Sequence, residues 1–287
     1  MTIPRPASAK SGEVDLHMHS TASDGSLSPS QVVAAAASAG ISAIALTDHD
    51  TMAGVDEAIE AGNAVGIRVV RGVELSAHDG PNEIHILALH VSRRGPIDAS
   101  LAVFRGSREL RARSIVELLN QLGIQVTLES VMAEAAGGSV GRPHIARAII
   151  KAGAVRDLRE AFDKYLGAGR PAYVPKERLE IRDAIALSHA AGAIAIWAHP
   201  GNECRREKLE PLVDMGIDGV EIRHPSHSSE DVKRLTALTD FFGLLPSGGS
   251  DWHGAPEGPR CIGCMHVPHE WLDRQDAAVA KRLAEVA

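Results

Sequence analysis

Val14-Asp15-Leu16-His17-Met18-His19 is a short apolar run that carries two histidines two positions apart. Residues two apart on a β-strand point to the same face, so the two imidazoles can coordinate one metal ion. Further bounded apolar runs of this kind are typical of buried strands in α/β proteins. There are six of them, at residues 43–49, 68–74, 84–90, 193–199, 219–224 and 244–251. The chain therefore has seven candidate strands.

Helical stretches lie between most of these runs. Ser28 fits an N-cap with Pro29 at the first helical position, and Gly40 fits the end of that helix. Further helices are expected at residues 52–63, 182–191, 207–215 and 229–242. This alternation of strand and helix predicts a parallel, barrel-like sheet.

One segment interrupts the alternation. From about residue 97 to residue 175 no strand is evident, and the segment is rich in arginine. Helical periodicity recurs there at residues 105–122, 128–136, 144–152 and 155–165. We therefore predict an α/β chain in which residues 1–96 and 176–287 form the barrel and residues 97–175 form a helical insertion domain.

The composition narrows the class of protein. The 287 residues include 30 Lys and Arg against 37 Asp and Glu, a net charge of −7, which argues against a duplex DNA-binding surface. No apolar run approaches the ~20 residues of a membrane span. The polar N-terminus lacks the apolar core of a signal peptide, and three cysteines cannot form a disulfide framework. We expect a cytoplasmic protein without a membrane partner.

Histidine is over-represented, with 14 residues against nine aromatic ones. It is the commonest metal ligand in proteins. Functional side chains of a parallel barrel sit at the C-terminal ends of its strands, which is where many of these histidines fall. The candidate metal ligands are His17, His19, Asp24, His49, Glu74, His85, His199, Asp251 and His253. Their joint occurrence at one rim predicts a metal cluster.

The motifs around these ligands span nearly the whole chain. They are Asp15-Leu16-His17-Met18-His19-Ser20, Ser23-Asp24-Gly25, Thr47-Asp48-His49, Glu74, His85, Ala198-His199-Pro200 and Gly249-Ser250-Asp251-Trp252-His253. This set resembles the PHP (polymerase and histidinol phosphatase) superfamily of metal-dependent phosphoesterases. The resemblance implies a distorted seven-stranded β/α barrel (the PHP fold) that holds two or three divalent metal ions.

The resemblance also implies how the ligands are shared. His17, His19, Glu74 and Asp251 hold one metal, Glu74 bridges to a second held by His85 and His199, and Asp24, His49 and His253 hold the third. Imidazole and carboxylate ligands suit manganese first, with iron, zinc or magnesium as alternatives. Asp15 and Asp48 are expected to orient metal-ligating residues without binding the metal themselves. Alternatively, they are turn residues at strand ends.

A closer resemblance is to the subgroup that dephosphorylates 3′,5′-bisphosphonucleotides or trims short RNA from its 5′ end. This closer resemblance rests on the helical insertion and on two motifs, Gly141-Arg142-Pro143-His144 and Pro225-Ser226-His227-Ser228. Arg142 offers a planar fork for a phosphate, or is a solvated helix-start residue. His144 adds a hydrogen bond to substrate or caps its helix. Ser226 and His227 are candidates to contact phosphate. His227 is also the candidate general acid, or else a surface loop residue.

These features predict a metal-dependent phosphatase or phosphodiesterase. A hydroxide bridging two metals would attack phosphorus and release inorganic phosphate and a 5′-mononucleotide from a nucleoside 3′,5′-bisphosphate, or trim short RNA from its 5′ end. A histidinol-phosphate phosphatase, or another phosphatase of small phosphate esters, is the first alternative. The Arg142 motif argues against it, because histidinol phosphate has one phosphate. A non-catalytic PHP interaction module is the second, disfavoured because every ligand position is filled.

A Cys-x-x-Cys spacing occurs near the C-terminus. Cys261 and Cys264 precede His266 and His269, which together suggest a zinc site. A zinc ribbon normally needs a second ligand pair at a longer spacing. Ordinary loop residues are therefore the favoured interpretation.

Overall fold

A computed structural model describes residues 12–80, 82–135, 140–175, 179–255 and 258–286. The chain divides into two compact units. The barrel unit comprises Met1–Asp98 with Leu179–Ala287, and the helical unit comprises Ala99–Arg178.

All seven predicted runs form strands. The strands are β1 Glu13–Met18, β2 Ala43–Leu46, β3 Arg68–Asp79, β4 Asn82–Leu89, β5 Leu179–Glu180, β6 Ile194–Trp197, β7 Gly219–Arg223, β8 Leu245–Gly248 and β9 Val267–Pro268. The two strands that the sequence did not predict, β5 and β9, have two residues each. A pair of residues is too short to show any periodicity.

The strands form one barrel-like sheet. Its order is β8-β7-β6-β4-β3-β2-β1-β9, and β5 pairs with β3. Beyond β8, Trp252 bridges to Met18 of β1, and the Asp251 N–H donates to the His17 carbonyl at 2.9 Å. The exit of β8 therefore lies beside β1, and the sheet nearly closes. The predicted distorted β/α barrel is confirmed.

The prediction of a parallel sheet is wrong at β4. This strand is antiparallel to β3, with Gly72 opposite Leu89. It is also antiparallel to β6, with Ile86 opposite Trp197. The reason is the connection: β3 ends at Asp79 and β4 starts at Asn82, whereas a parallel pairing needs a crossover of a dozen or more residues.

Ten α-helices accompany the sheet in the described part of the chain. They are α1 Pro29–Ser38, α2 Val55–Val65, α3 Arg94–Gln121, α4 Leu128–Ala135, α5 Arg142–Lys151, α6 Leu158–Ala161, α7 Ile181–Ala190, α8 Arg206–Asp214, α9 Ser229–Phe242 and α10 His269–Val286. The Ser28 hydroxyl accepts from the Gln31 N–H at 3.3 Å, which confirms the predicted cap of α1. The C-terminal helix α10 was not predicted. Among the described residues no helix has both the length and the hydropathy of a membrane span.

Each unit has an apolar core. In the barrel unit, residues of different strands, such as Leu16 of β1 and Leu87 of β4, belong to one apolar cluster and are completely buried. Each buried side chain of this size contributes roughly 1.5–3 kcal/mol. In the helical unit, Leu119, Val131 and Ile145 from three helices are completely buried in a separate cluster. A compact unit with its own core has what it needs to fold by itself.

Candidate metal centre

The end of β1 supplies two adjacent imidazoles. His17 lies in β1 and His19 directly after it, and both side chains are completely buried. Their Nε2 atoms are 3.1 Å apart, so the predicted pair does converge. Asp251, which follows β8, points its Oδ1 at the same place, 3.5 Å from His17 Nε2 and 3.1 Å from His19 Nε2. These three side chains offer one ligand atom each within 4.8 Å of one another.

Glu74, at the middle of β3, contacts two different sets of histidines. Its Oε2 lies 3.3 Å from both His17 Nε2 and His19 Nε2. Its Oε1 lies 2.7 Å from His85 Nδ1 and 3.0 Å from His199 Nε2. The carboxylate is almost completely buried. One carboxylate oxygen therefore faces each of the two histidine sets, as a ligand that bridges two metal ions requires.

A third set lies towards the surface. Asp24 Oδ1 is 3.2 Å from His253 Nε2, and Asp24 Oδ2 is 3.8 Å from His49 Nε2. The other nitrogen of His49 lies 3.0 Å from Glu74 Oε2, so this ring stands between the third set and Glu74. His19 Nδ1 is 3.7 Å from Asp24 Oδ1. All nine predicted ligands thus belong to one continuous cluster, although His19 and His49 each face two sets.

The pKa values of two of these rings differ widely. Burial lowers the pKa of His49 to about 4, so that ring is neutral and offers a lone pair. Burial also lowers the pKa of His85, but hydrogen bonds to Glu74 and Glu83 raise it more, to about 10. A cation that binds at His85 must therefore displace a proton.

The backbone is held in an unfavourable conformation at two of the ligands. His199 has a φ of 31° and Asp251 a φ of 49°. Residues other than glycine rarely adopt positive φ, and each instance costs on the order of 1–3 kcal/mol. Such strain is retained where the surrounding structure fixes a side chain in a required position.

Glu221, in β7, is a functional residue that the sequence analysis missed. Its side chain is completely buried, and its Oε1 accepts from His17 Nδ1 at 3.0 Å. Its Oε2 accepts from the backbone N–H of His199 at 2.6 Å. The first bond leaves the lone pair of His17 on Nε2, the nitrogen that faces Glu74 and Asp251. An acidic residue within an apolar strand was the only available signal.

We expect the substitution Glu221→Gln to weaken metal binding about 10- to 100-fold, the usual cost of losing a carboxylate behind a ligating histidine. The amide must turn its NH₂ group towards either His17 or the His199 N–H, and both are donors. Competition with a chelator measures the affinity. Glu210→Gln, at an exposed residue paired with Arg206, is the control. Equal affinities in the two variants would contradict the assignment.

The two aspartates expected behind the ligands take different roles. Asp48 accepts from the N–H and the hydroxyl of Ser20, each at 2.7 Å, and from the Ser23 hydroxyl at 2.7 Å. It therefore fixes the turn that carries Asp24. Asp15 accepts from the Ser250 N–H at 2.8 Å, and burial raises its pKa to about 6. It orients the backbone beside Asp251, and within the described residues its hydrogen bonds involve no histidine ring.

His227 has a role other than the expected one. Its Nδ1 donates to the Ile222 carbonyl at 2.9 Å, and its Nε2 accepts from the Gly201 N–H at 3.0 Å. With both nitrogens bound to backbone groups, neither is free to contact a leaving group. It connects the loops after β6 and β7 instead. Ser226 donates its hydroxyl to His224 Nδ1 at 2.7 Å.

His224, which follows β7, also joins the cluster. Its ring is buried, and its Nε2 lies 3.2 Å from Asp251 Oδ2. The Ser226 N–H also points at His224 Nδ1, at 3.1 Å. Because that nitrogen accepts, Nε2 of the neutral ring carries the proton and donates to Asp251. His224 thus orients the carboxylate that faces His17 and His19.

Arg142 and His144 lie in the helical unit. His144 Nδ1 accepts from the Gly141 N–H at 2.9 Å, so His144 caps α5. Arg142 donates to the Leu166 carbonyl at 3.1 Å, and its guanidinium lies 5.6 Å from the ring centre of Phe162 and 5.5 Å from that of Tyr173. No carboxylate among the described residues pairs with it.

The two cysteines of the Cys-x-x-Cys spacing are bonded to each other. Cys261 and Cys264 form a disulfide with a Cα–Cα distance of 5.5 Å. Both interpretations of the spacing, a zinc site and ordinary loop residues, are therefore wrong. His266 Nδ1 pairs with Glu13 at 3.1 Å, and His269 Nδ1 with Asp273 at 3.3 Å. All four side chains of the suggested zinc site are therefore engaged elsewhere.

Comparison with known proteins places this chain in a family. The sequence model described as "PHP domain" matches residues 15–169, more than half of the chain. The chain belongs to the PHP family. The resemblance that the ligand motifs indicated is confirmed.

Individual relatives are similar to this chain over most of their length. A 3′,5′-nucleoside bisphosphate phosphatase of Chromobacterium violaceum is 36% identical over 257 residues, 87% of this chain and 90% of the relative. A 5′-3′ exoribonuclease of Haemophilus influenzae is 40% identical over 245 residues, 83% of this chain and 89% of the relative. A solved structure from Bifidobacterium adolescentis, described as a metal-dependent phosphoesterase, superposes with a TM-score of 0.77 at 30% identity, covering 94% of this chain and 97% of that one.

Family, relatives and structure agree on the class of reaction. This PHP protein is a metal-dependent phosphoesterase, a hydrolase that acts on phosphoric ester bonds. Its clusters of histidine and carboxylate side chains are able to bind metal ions.

Proposed function

We propose that this phosphoesterase hydrolyses a phosphate monoester of a nucleoside 3′,5′-bisphosphate and releases inorganic phosphate and a 5′-mononucleotide. The observation that carries the proposal is Glu74, whose two carboxylate oxygens each face a separate set of histidines. The similarity to the bisphosphate phosphatase of Chromobacterium violaceum supports the choice of substrate.

The nine predicted ligands are proposed to hold two or three divalent cations, with manganese as the first choice. Two buried atoms in the described part of the cluster, His19 Nδ1 and Glu74 Oε2, lie near charged or imidazole groups but have no partner with hydrogen-bond geometry. Leaving such atoms unpaired is costly, and a cation would satisfy both. Imidazole and carboxylate donors without thiolate suit manganese, iron or zinc. The donor set and the unpaired atoms therefore fit a multinuclear site.

Bound cations would supply Lewis-acid neutralisation of the phosphoryl oxygens and a water that ionises near neutral pH. Neighbouring side chains hold two of the proposed ligands in place. Glu221 holds the proton of His17 on Nδ1, and His224 donates to Asp251 from the side away from His17 and His19. Preorganised ligands of this kind avoid reorganisation during the reaction.

A cavity of about 890 Å³ opens beside His85 and His199. Its walls combine apolar groups such as Trp197 with acidic ones such as Glu203 and Glu207, and the acidic groups outnumber Lys208. Acidic walls disfavour a second phosphate, whereas they accept hydrogen bonds from a ribose or a base. We propose that this cavity takes the uncharged part of the substrate.

Arg142 remains the residue proposed to recognise a second phosphate of the substrate. Arg111 lies near it, donates through Nε to the Val174 carbonyl at 2.8 Å, and has a pKa lowered by burial and by the charge of Arg142. Two guanidinium groups that are close together, with no carboxylate partner among the described residues, favour the binding of an anion between them. His144 and Ser226, which bond to protein groups, are less available for this role.

Trimming of short RNA from its 5′ end is a second candidate function. The helical unit contains 13 Lys and Arg against 8 Asp and Glu, so its formal charge is 13 − 8 = +5, whereas the whole chain carries −7. A basic unit attached to an acidic barrel suits a polyanionic strand. The exoribonuclease of Haemophilus influenzae, 40% identical to this chain, adds support.

A substrate panel tests both candidates. The manganese-loaded protein is given adenosine 3′,5′-bisphosphate, adenosine monophosphate, histidinol phosphate and a short 5′-phosphorylated RNA. We expect the highest kcat/KM on the bisphosphate or the RNA, because each presents a second phosphate. Faster hydrolysis of histidinol phosphate than of either would refute the proposed substrate class.

A further inference from the structure

Arg260 lies at the edge of the cluster, in the loop after His253. Its NH2 group pairs with Asp251 Oδ2 at 2.8 Å, and its NH1 group lies 3.2 Å from His253 Nδ1. The side chain is 46% exposed, so solutes can reach it. No sequence motif singled it out.

The tautomer of His253 decides what the NH1 group can bind. His253 Nδ1 lies 2.8 Å from the carbonyl oxygen of Asp251, which only accepts hydrogen bonds, so Nδ1 carries the proton. This leaves the lone pair on Nε2, which faces Asp24 and is the atom available to a cation. Arg260 NH1 therefore meets an N–H group and not an acceptor.

One arm of the guanidinium is thus anchored and the other is unsatisfied. Asp251 Oδ2 holds NH2 in place, and among the described residues NH1 has no acceptor. A planar guanidinium fixed at one edge presents its remaining N–H groups in a defined direction. Phosphate oxygens are among the best acceptors for such a fork.

We propose that Arg260 binds non-bridging oxygens of the phosphoryl group under attack, and of inorganic phosphate after hydrolysis. The inference rests on the proposed function only in that the substrate is a phosphate ester. The role differs from that of Arg142, because Arg260 directly contacts Asp251 and His253. Arg260 is thus a substrate-binding residue for the phosphate common to every candidate substrate.

The test compares Arg260→Gln and Arg260→Lys with Arg68→Gln. Arg68 is a matched control, because its side chain is also 46% exposed and pairs with an aspartate, Asp276, at 2.6 Å. For each variant, bound manganese is counted by mass spectrometry after dialysis. Calorimetry then gives the Kd of inorganic phosphate for the manganese-loaded protein, and KM is measured with a simple aryl phosphate.

We expect Arg260→Gln to weaken phosphate binding about tenfold or more, the usual effect of losing a charge-assisted hydrogen bond, and to raise KM in parallel. The manganese content should stay at the level of the unmodified protein. Arg260→Lys should recover part of the affinity, since it restores the charge without the fork. Arg68→Gln should match the unmodified protein in every measurement.

Two results would overturn the inference. If Arg260→Gln lost manganese while its loaded fraction still bound phosphate normally, Arg260 would only position Asp251. Unchanged phosphate affinity and manganese content would exclude both roles. A protein that failed the bisphosphate panel but showed Arg260-dependent phosphate binding would refute the proposed substrate and leave this inference standing.

Discussion

Replacement of Glu74 by glutamine will abolish phosphoester hydrolysis and reduce the bound metal. Within the described cluster, Glu74 is the carboxylate that contacts His17 and His19 through one oxygen and His85 and His199 through the other. An amide cannot bridge two cations in this way. Losing a Lewis acid worth several kcal/mol corresponds to a fall in kcat of about 10³-fold or more.

Glu13→Gln is the matched control for this substitution. Glu13 is also a buried glutamate on a strand, but it pairs with His266 and lies outside the nine proposed ligands. We expect its variant to keep its metal and its rate. Metal analysis and single-turnover rates distinguish the two proteins. Glu74→Gln protein with its full metal content and an unchanged rate would be incompatible with a bridging role.

Gly249→Ala will disturb the centre through the backbone. A Cβ at this position would lie 2.5 Å from both Cβ and N of His17 and 2.9 Å from Asp15 Oδ1. Real contacts are never this close, so β1 must move and take His17 with it. We expect the free energy of unfolding to fall by about 1–3 kcal/mol or more, as for overpacked cores, together with loss of metal.

Gly106→Ala makes the same chemical change, but we expect it to have the opposite effect on the free energy of unfolding. A Cβ at Gly106, within α3, meets nothing within 4 Å. Alanine should therefore stabilise the helix by about 0.5–1 kcal/mol. Denaturant unfolding compares the two variants. A Gly249→Ala protein as stable and metal-rich as the Gly106→Ala protein would mean that the approach of β8 to β1 is looser than described.

The nine proposed ligands could be grouped from the sequence because most of them occur at or near strand ends. His19, His199 and Asp251 each close an apolar run, and parallel strands bring such ends to one rim. The antiparallel β4 was not predictable from its apolar pattern, because a buried run looks the same in either direction. What revealed its direction was the short connection to β3.

The residues around the ligands were much harder to predict. Glu221 meets His17 across 204 positions of sequence, and no local pattern encodes such a contact. Arg260 lies in an irregular loop, so it has no periodicity to interpret. His227 illustrates the converse case, since its partners are backbone groups of Ile222 and Gly201. Bonds to backbone leave no trace in side-chain identity.

The position of the helical unit within the chain has a consequence for biosynthesis. β4 ends at Leu89, but its second partner, β6, begins only at Ile194. At 5–20 residues per second, a ribosome leaves that strand edge exposed for roughly 5 to 20 seconds. The helical unit, which has its own core, can fold during this interval. Asp251 emerges later still, so a nascent chain cannot assemble the proposed metal centre before this residue has been synthesised.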